Sequence, residues 1–362
     1  MNLKSIASLW LWRSWRCGLL IAAVALLAAP LAPAQGVKIK LATLAPDGSA
    51  WHLILKDMGE QWKQLSGGRV TLVIYPGGVG GDEPDMVRKM RIGQIHAAAV
   101  TGTGLAEVDP GVQALQIPML YQTNEEFDYV RAKLTPKLEA RLKQKGFIVL
   151  NWGETGWVHF FATKPVARPD DLKALKLFTW AGDSVVLDLW KASGFNPVPL
   201  ASTDIMPGLQ TGMINAFATP PMAALSFQWY SLAPNMTDLR WAPLVGATIV
   251  TQQMWERVPA DARELLLAAA RKAGEMLQAD VRKSSREAVE AMKKRKLRVV
   301  PVPPEAVAEW RAAVEKIYSK LRGPFAPAEL FDEARQLVAE FRAKSGKTAN
   351  TGGSAAPNTS GR

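Results

Sequence analysis

The chain has 362 residues and a formal net charge of +11, with 44 Lys and Arg residues against 33 Asp and Glu residues. Its length favours about two domains, and 48% hydrophobic residues exclude a disordered chain because they can form packed cores. A single Cys excludes a disulfide framework and a metal site built from thiolates. The unusual feature is 13 Trp residues against 5 Tyr residues.

The first 34 residues have the pattern of a secretory signal peptide. A basic head without acidic residues precedes an apolar run over Gly18–Leu31 and an A-x-A end at Ala34. The run is shorter than the roughly 20 residues that span a bilayer. We expect cleavage after Ala34 and export as a soluble protein, with retention as an uncleaved anchor as the alternative. Cleavage leaves a charge of +8, no Cys and ten Trp residues.

Strand and helix patterns then alternate along the chain, which predicts an α/β fold with a largely parallel sheet. The first block predicts strands at Val37–Ala42, Val70–Tyr75, Ala97–Val100 and Phe147–Asn151. Helices are predicted between these strands, beginning with one that Ser49 caps. The second block predicts strands at Trp157–Thr163, Leu175–Trp180, Asn196–Leu200, Ile214–Ala218 and Leu297–Val302.

One helical pattern runs from Pro259 to Lys296 and is interrupted only by Gly274. It is too long for one compact lobe to bury, so it predicts a helix that runs across two lobes. The basic residues at its end complement the helix dipole, and no aromatic residues interleave with them, so nucleic acid is not the expected partner. The Gly-, Ser- and Asn-rich segment from Ser345 onward predicts a disordered tail.

Signatures of catalysis, cofactor binding and metal binding are absent from the sequence. The three His residues have no partners at metal-ligand spacing, and neither H-E-x-x-H nor G-x-S-x-G occurs. Gly102-Thr103-Gly104 lacks the third Gly of a dinucleotide loop. We expect each His to be structural, and we predict no catalytic residue, cofactor or metal. Two distant carboxylates could still meet in a cleft, so a secreted enzyme stays open as an alternative.

Several segments, taken in order, resemble the dicarboxylate-binding type of solute-binding proteins that serve tripartite ATP-independent periplasmic (TRAP) transporters. The matching segments are GGVGGDEPDMVRKMRIGQIHAAAV, LQIPML, LKALKL, GFNPVPLASTDIMPGLQTGMINA, ATPPMAALSFQWY and WERVPADARELLLAAA. The similarity extends from about Val37 to about Phe341, so it covers nearly the whole chain after the signal.

The resemblance implies a two-lobed periplasmic binding protein fold of class II, with hinge strands and a long helix that spans the lobes. Lobe I is expected at residues 35–156 plus about 245–283, lobe II at 157–244 plus about 284–342, and the tail at 343–362. The implied function is to capture a small ligand between the lobes and deliver it to the membrane permease of a TRAP transporter. We expect a monomer. A ligand-binding sensor or adaptor is the alternative within the binding proteins.

The chain departs from this family at three ligand-binding positions. In the family, an Arg usually grips a ligand carboxylate with two parallel hydrogen bonds, and Phe178 stands where that Arg is expected. Val158 stands at a second Arg position, and Thr219 at a ligand-contacting Asn. Since a buried carboxylate without a partner costs several kcal/mol, a simple dicarboxylate is not the expected ligand.

We therefore predict an aromatic, largely apolar cleft for a hydrophobic or amphipathic ligand. The candidate ligand-binding residues are Phe178, Trp180, Val158, Trp157, Thr219, Thr101, Asp82, Trp229 and Trp241. Strand alternation places Phe178 and Trp180 on one face and prevents Trp157 and Val158 from both pointing inward. Asp82 could instead cap the next helix. The tryptophans at helical positions are expected in the core: Trp51, Trp62, Trp190, Trp255 and Trp310.

Overall fold

The computed structural model of the protein describes residues 36–351. The predicted signal peptide at residues 1–34 and the last part of the predicted tail therefore lie outside the described residues. The strands are β1 Val37–Thr43, β2 Val70–Tyr75, β3 Ala97–Thr101, β4 Phe147–Trp157, β5 His159–Ala162, β6 Lys176–Trp180, β7 Asn196–Leu200, β8 Ala216–Thr219, β9 Asn235–Thr237, β10 Pro243–Thr251 and β11 Arg298–Val300.

The helices alternate with these strands over most of the described chain. They are α1 Ala50–Leu65, α2 Glu83–Arg91, α3 Gly102–Ala106, α4 Asn124–Gln144, α5 Pro169–Lys173, α6 Ser184–Ala192, α7 Ile205–Gln210, α8 Pro221–Ser226, α9 Gln252–Trp255, α10 Ala260–Lys293, α11 Pro304–Leu321 and α12 Ala328–Thr351. Short 3₁₀ helices occur at Pro110–Gln116, Ser202–Asp204 and Trp229–Ser231. No helix of the described residues is long and apolar enough to cross a membrane.

Each lobe is built on one mixed sheet. In lobe I the strand order is β2-β1-β3-β10-β4, with β1 parallel to β2 and β3, and β10 antiparallel to β3 and β4. In lobe II the order is β11-β9-β5-β8-β6-β7, with β5 antiparallel to both of its neighbours. The prediction of an α/β fold is confirmed. The sheets are less parallel than predicted because strands that return from the other lobe enter each of them.

Alternation along the strands builds a core on both faces of the lobe I sheet. Ile39 and Leu41 pack on one face with Trp62 of α1, whereas Ala42 and Ala98 pack on the other. The indole nitrogen of Trp62 donates a hydrogen bond of 2.9 Å to the carbonyl oxygen of Leu266 in α10. The first helix and the long helix are thereby held on the same face of the sheet.

The chain crosses between the lobes at Val158, where β4 ends and β5 begins. Its backbone N–H donates to the carbonyl of Ala242 at 2.8 Å, and its carbonyl accepts from the N–H of Trp241 at 2.9 Å, so the outgoing and returning strands are joined there. β4 is longer than predicted because it pairs with β10 as far as Trp157. The glycines of the segment, including Gly156 at φ +102°, resemble a turn in sequence.

The long helix α10 connects the two cores. Leu266 near its start packs in lobe I, whereas Met292 near its end packs with the lobe II strands. Gly274 lies inside this helix because the helix backbone approaches β4 closely there. A Cβ at Gly274 would lie 2.6 Å from the carbonyl oxygen of Trp152. At a rise of 1.5 Å per residue, α10 is about 50 Å long, enough to span both lobes.

The C-terminal helices differ from the boundaries drawn from sequence. Trp310 of α11 packs in lobe II, but α12 packs on α4 of lobe I, where Phe341 lies 5.5 Å from the ring of Tyr129. Arg342 forms an ion pair of 2.7 Å with Glu126 of α4. The segment after about residue 321 therefore belongs with lobe I rather than lobe II. α12 also continues past residue 343, to Thr351.

Candidate functional site

A cavity of about 400 Å³ lies between the two lobes. Lobe I contributes the ends of β1 and β3, together with the middle of β4 and β10. Lobe II contributes β6 and β8 and the segments that follow them. Because β1 and β3 are parallel, their carboxyl ends meet at one edge of the sheet, which is where α/β proteins commonly bind ligands.

Six of the nine residues predicted from sequence line this cavity. They are Thr101, Val158, Phe178, Trp180, Thr219 and Trp229. Phe178 and Trp180 do share a face, with ring centroids 5.9 Å apart in an edge-on arrangement. Trp229 stacks on Phe227 with centroids 4.5 Å apart, and Phe227 also lines the cavity. The lobe II side of the cavity is therefore an aromatic wall.

Trp157 and Trp241, two of the other predicted residues, lie outside this cavity. The indole of Trp157 donates to Asn124 Oδ1 at 2.7 Å, and the Arg240 guanidinium covers its ring at 5.3 Å. Trp241 stacks on Trp190 at 5.5 Å and lines a second cavity of about 450 Å³. Trp157 and Trp241 flank Val158 in the two crossing strands, and Val158 lines both cavities.

Asp82 caps a helix and joins the lobes instead of lining the cavity. Its Oδ1 accepts from the N–H of Glu83 at 2.9 Å, which caps α2. Its carboxylate also accepts two hydrogen bonds from Ser202 in lobe II, from the backbone N–H at 2.9 Å and from the hydroxyl at 2.7 Å. These contacts hold the lobes together at the rim of the cavity, so the structure is a closed form.

The lining has no basic side chain. Among the described residues that line the cavity, none is Arg, Lys or His, and two are carboxylates, Glu83 and Glu154. Glu154 is 2% exposed and pairs with Arg282 of α10 at 3.2 Å. The pKa of Arg282 is raised above its ordinary value, mainly because its guanidinium donates a hydrogen bond to Asp128 and also because Glu154 lies beside it. The negative charge of Glu154 is therefore balanced by Arg282.

Glu83 is the other carboxylate and is 1% exposed. Its Oε1 accepts from the N–H of Thr101 at 2.9 Å, and its Oε2 accepts from the Thr101 hydroxyl at 2.7 Å and the Gly104 N–H at 2.9 Å. Burial outweighs these bonds and raises the pKa of Glu83 to about 7. Gly104 makes the close approach possible, since a Cβ there would lie 3.0 Å from Oε2 and 2.8 Å from Val100 Cβ.

The sequence is similar to a family of known proteins and to individual relatives. Residues 41–323 match the family of bacterial extracellular solute-binding proteins, family 7. The chain is 28% identical to a solute-binding protein of Roseobacter denitrificans over 208 residues, which is 55% of this chain and 62% of that protein. It is 25% identical to the C4-dicarboxylate-binding periplasmic protein DctP of Rhodobacter capsulatus over 317 residues, covering 85% of this chain and 93% of that protein.

A solved structure of a solute-binding protein shares this fold. A crystal structure of a TRAP periplasmic solute-binding protein from Ralstonia eutropha with bound (S)-2-acetolactate superposes with a TM-score of 0.78 at 22% identity. It covers 84% of this chain and 99% of that chain. This chain belongs to family 7 of the bacterial extracellular solute-binding proteins. The family consists of ligand-binding components of TRAP transporters and not of enzymes.

Within this family 7 protein, each of the three His residues has a polar partner. His96 Nδ1 accepts from the backbone N–H of Lys40 at 3.1 Å, and His52 Nδ1 accepts from that of Gly48 at 3.0 Å. His159 Nδ1 lies 3.0 Å from the carbonyl oxygen of Thr237. Burial lowers the pKa of His159, so its ring is held neutral.

Sequence reasoning missed several residues that line the cavity of this family 7 protein. Trp51, expected in the core, lines the cavity and is half-buried at the start of α1. Glu83 was overlooked because an acid in the first turn of a helix is explained by the helix dipole. The sequence feature that could have pointed to Glu83 is the pair of glycines in Gly102-Thr103-Gly104, which make room for a side chain packed against the backbone. Asn151 also lines the cavity, at the end of the strand predicted over Phe147–Asn151.

Proposed function

We propose that this protein captures a small hydrophobic or amphipathic ligand between its lobes and delivers it to the integral membrane permease subunits of a TRAP transporter. One observation carries the proposal: none of the described residues that line the inter-lobe cavity is Arg, Lys or His, and aromatic and aliphatic groups form most of its walls. A ligand carboxylate placed there would lose its hydration without gaining a cationic partner, at a cost of several kcal/mol.

The proposed ligand differs from those named for the similar proteins. The Rhodobacter capsulatus protein is named for C4-dicarboxylates, and the Ralstonia eutropha structure holds (S)-2-acetolactate. Phe178 is buried against Trp180 where the resemblance places an Arg, and Val158 and Thr219 lie on the same cavity. We further propose that the protein works as a monomer in the periplasm after removal of residues 1–34.

Native mass spectrometry of freshly purified protein tests the proposal. We expect a co-purified ligand that is largely apolar and that rebinds to the protein after denaturation, removal and refolding. Recovery of a dicarboxylate that rebinds tightly would refute it.

A matched substitution locates the ligand. Phe178→Arg is expected to lower the affinity for the recovered ligand at least about tenfold, because it places a charge in an apolar wall. Lys176→Arg in the same strand has an exposed side chain and serves as the control. Unchanged binding by the Phe178 variant would place the ligand elsewhere.

A further inference from the structure

The inter-lobe cavity presents hydrogen-bond acceptors that the protein itself leaves uncompensated. Glu83 has three hydrogen-bond donors, but all three are uncharged: two backbone N–H groups and one hydroxyl. Among the described residues, the only charged group that perturbs its pKa is another acid, Asp82. The negative charge of Glu83 is thus solvated by dipoles and balanced by no cation.

Glu154, on β4 of lobe I, is a buried acid whose negative charge is balanced by a cation. Arg282 reaches it from α10 at 3.2 Å and reaches Asp128 at 2.7 Å. Both acids are buried to a similar degree, with exposed fractions of 2% for Glu154 and 1% for Glu83. The fold therefore supplies a guanidinium to one buried acid and leaves the other facing the cavity.

Asn151 provides a second, independent acceptor on the same cavity. Its side chain is 4% exposed, and its Nδ2 donates to the carbonyl oxygen of Ala270 at 3.0 Å. Its Oδ1 has no hydrogen-bond partner in the described part of the chain. Buried acceptors of this kind are nearly always satisfied, so an unpaired one in a ligand cavity calls for a donor from the ligand.

The aromatic walls favour the same class of ligand. Indole and phenyl rings attract cations over their faces, and the cavity is bordered by Trp51, Phe178, Trp180, Phe227 and Trp229. In the described chain, Arg and Lys side chains sit over other rings, such as Arg240 over Trp157. Among the described residues, no Arg or Lys side chain lies over a ring that borders the cavity, although Phe227 and Trp229 stack on each other.

We propose that the ligand is a small organic cation, an ammonium group attached to an apolar body, with its N–H groups directed to Glu83 and its apolar body against the aromatic wall. This inference rests on the proposed function and narrows it from an apolar or amphipathic ligand to a cationic one. An ammonium group carries three donors and no acceptor, which matches a lining whose uncompensated groups are acceptors.

Three probes of matched size separate the two proposals: 2-phenylethylammonium, neutral 2-phenylethanol and anionic 3-phenylpropanoate. Each is titrated into ligand-free protein by calorimetry at a slightly alkaline pH, where Glu83 is ionised. We expect the ammonium to bind at least about tenfold more tightly than the alcohol, and the acid to bind most weakly. Equal binding of ammonium and alcohol would overturn the cationic inference and leave the apolar cleft intact. Preferential binding of the acid would overturn both, and no ammonium binding at millimolar concentration would also overturn the inference.

Glu83→Gln tests the assigned residue, with Glu107→Gln as the control because it removes an equal charge from an exposed side chain outside the cavity. We expect the first variant to lose the preference for ammonium over alcohol and the second to retain it. A Glu83 variant that retains the preference would contradict the assignment.

If Glu83→Gln does not fold, wild-type titrations decide: ammonium affinity should rise as pH increases through neutrality, while alcohol affinity stays constant. A flat ammonium profile would refute the role of Glu83.

Discussion

Removal of the Glu83 carboxyl should change how the stability of the ligand-free protein depends on pH. Burial raises the pKa of Glu83 from 4.5 to about 7, so the folded protein retains a proton that the unfolded chain releases. The protonated carboxyl stabilises the fold fully below pH 4.5, and this contribution is lost as the pH rises to about 7. At 1.36 kcal/mol per pKa unit, the loss amounts to about 3 kcal/mol.

Denaturant unfolding at several pH values between 4.5 and 8, on wild type and Glu83→Gln, measures this loss. Asp183, whose pKa burial also raises, and the other titrating groups are common to both proteins, so they cancel in the difference. We expect the stability of wild type relative to the variant to fall by about 3 kcal/mol across the range. A difference that does not change with pH would refute the argument that Glu83 is buried without a cation.

Four further substitutions test the closed form, the buried ion pair and the placement of the tryptophans. Ser202→Ala removes a hydrogen bond between the lobes, so ligand affinity should fall about fivefold, with a larger radius of gyration in small-angle scattering. Arg282→Leu leaves Glu154 buried and unpaired and should lower the free energy of unfolding by about 3–5 kcal/mol in denaturant titrations. Trp180→Phe should diminish the ligand-induced change in tryptophan fluorescence, whereas Trp241→Phe should leave it intact.

Matched controls separate these effects from general damage. Ser319→Ala, on the exposed face of α11, should leave affinity and compaction unchanged. Lys283→Ala, beside Arg282 on α10 but exposed, should alter stability by less than about 1 kcal/mol. Affinity that is equal in wild type and Ser202→Ala would show that the contact with Asp82 does not contribute to closure. A fluorescence response carried by Trp241 instead of Trp180 would place the ligand in the second cavity.

The elements that sequence patterns predicted well are those with clear periodicity. The alternation in β6 placed Phe178 and Trp180 on one face, and both line the cavity. The helical pattern after Pro259 predicted α10 to within a few residues. Gly274 lies within this helix because the helix packs too closely on β4 there for any side chain.

The rest depended on contacts between distant parts of the chain. Trp241 follows the returning strand away from the cleft, which no local pattern near that residue indicates. The position of α12 on lobe I depends on Arg342 and Phe341 meeting α4, more than two hundred residues earlier. Glu83 faces inward only because Gly104 of the next strand–helix segment lies against it, so its role emerges from the fold and not from its own helix.

Calorimetric titration of ligand-free protein with succinate measures whether the cavity can hold a carboxylate, since succinate is a small dicarboxylate that needs a cationic partner. None of the described residues that line the inter-lobe cavity is Arg, Lys or His, so a carboxylate finds no cationic partner among them. We predict no measurable binding of succinate to wild-type protein. Tight binding of succinate, competing with the ligand recovered from the purified protein, would contradict it.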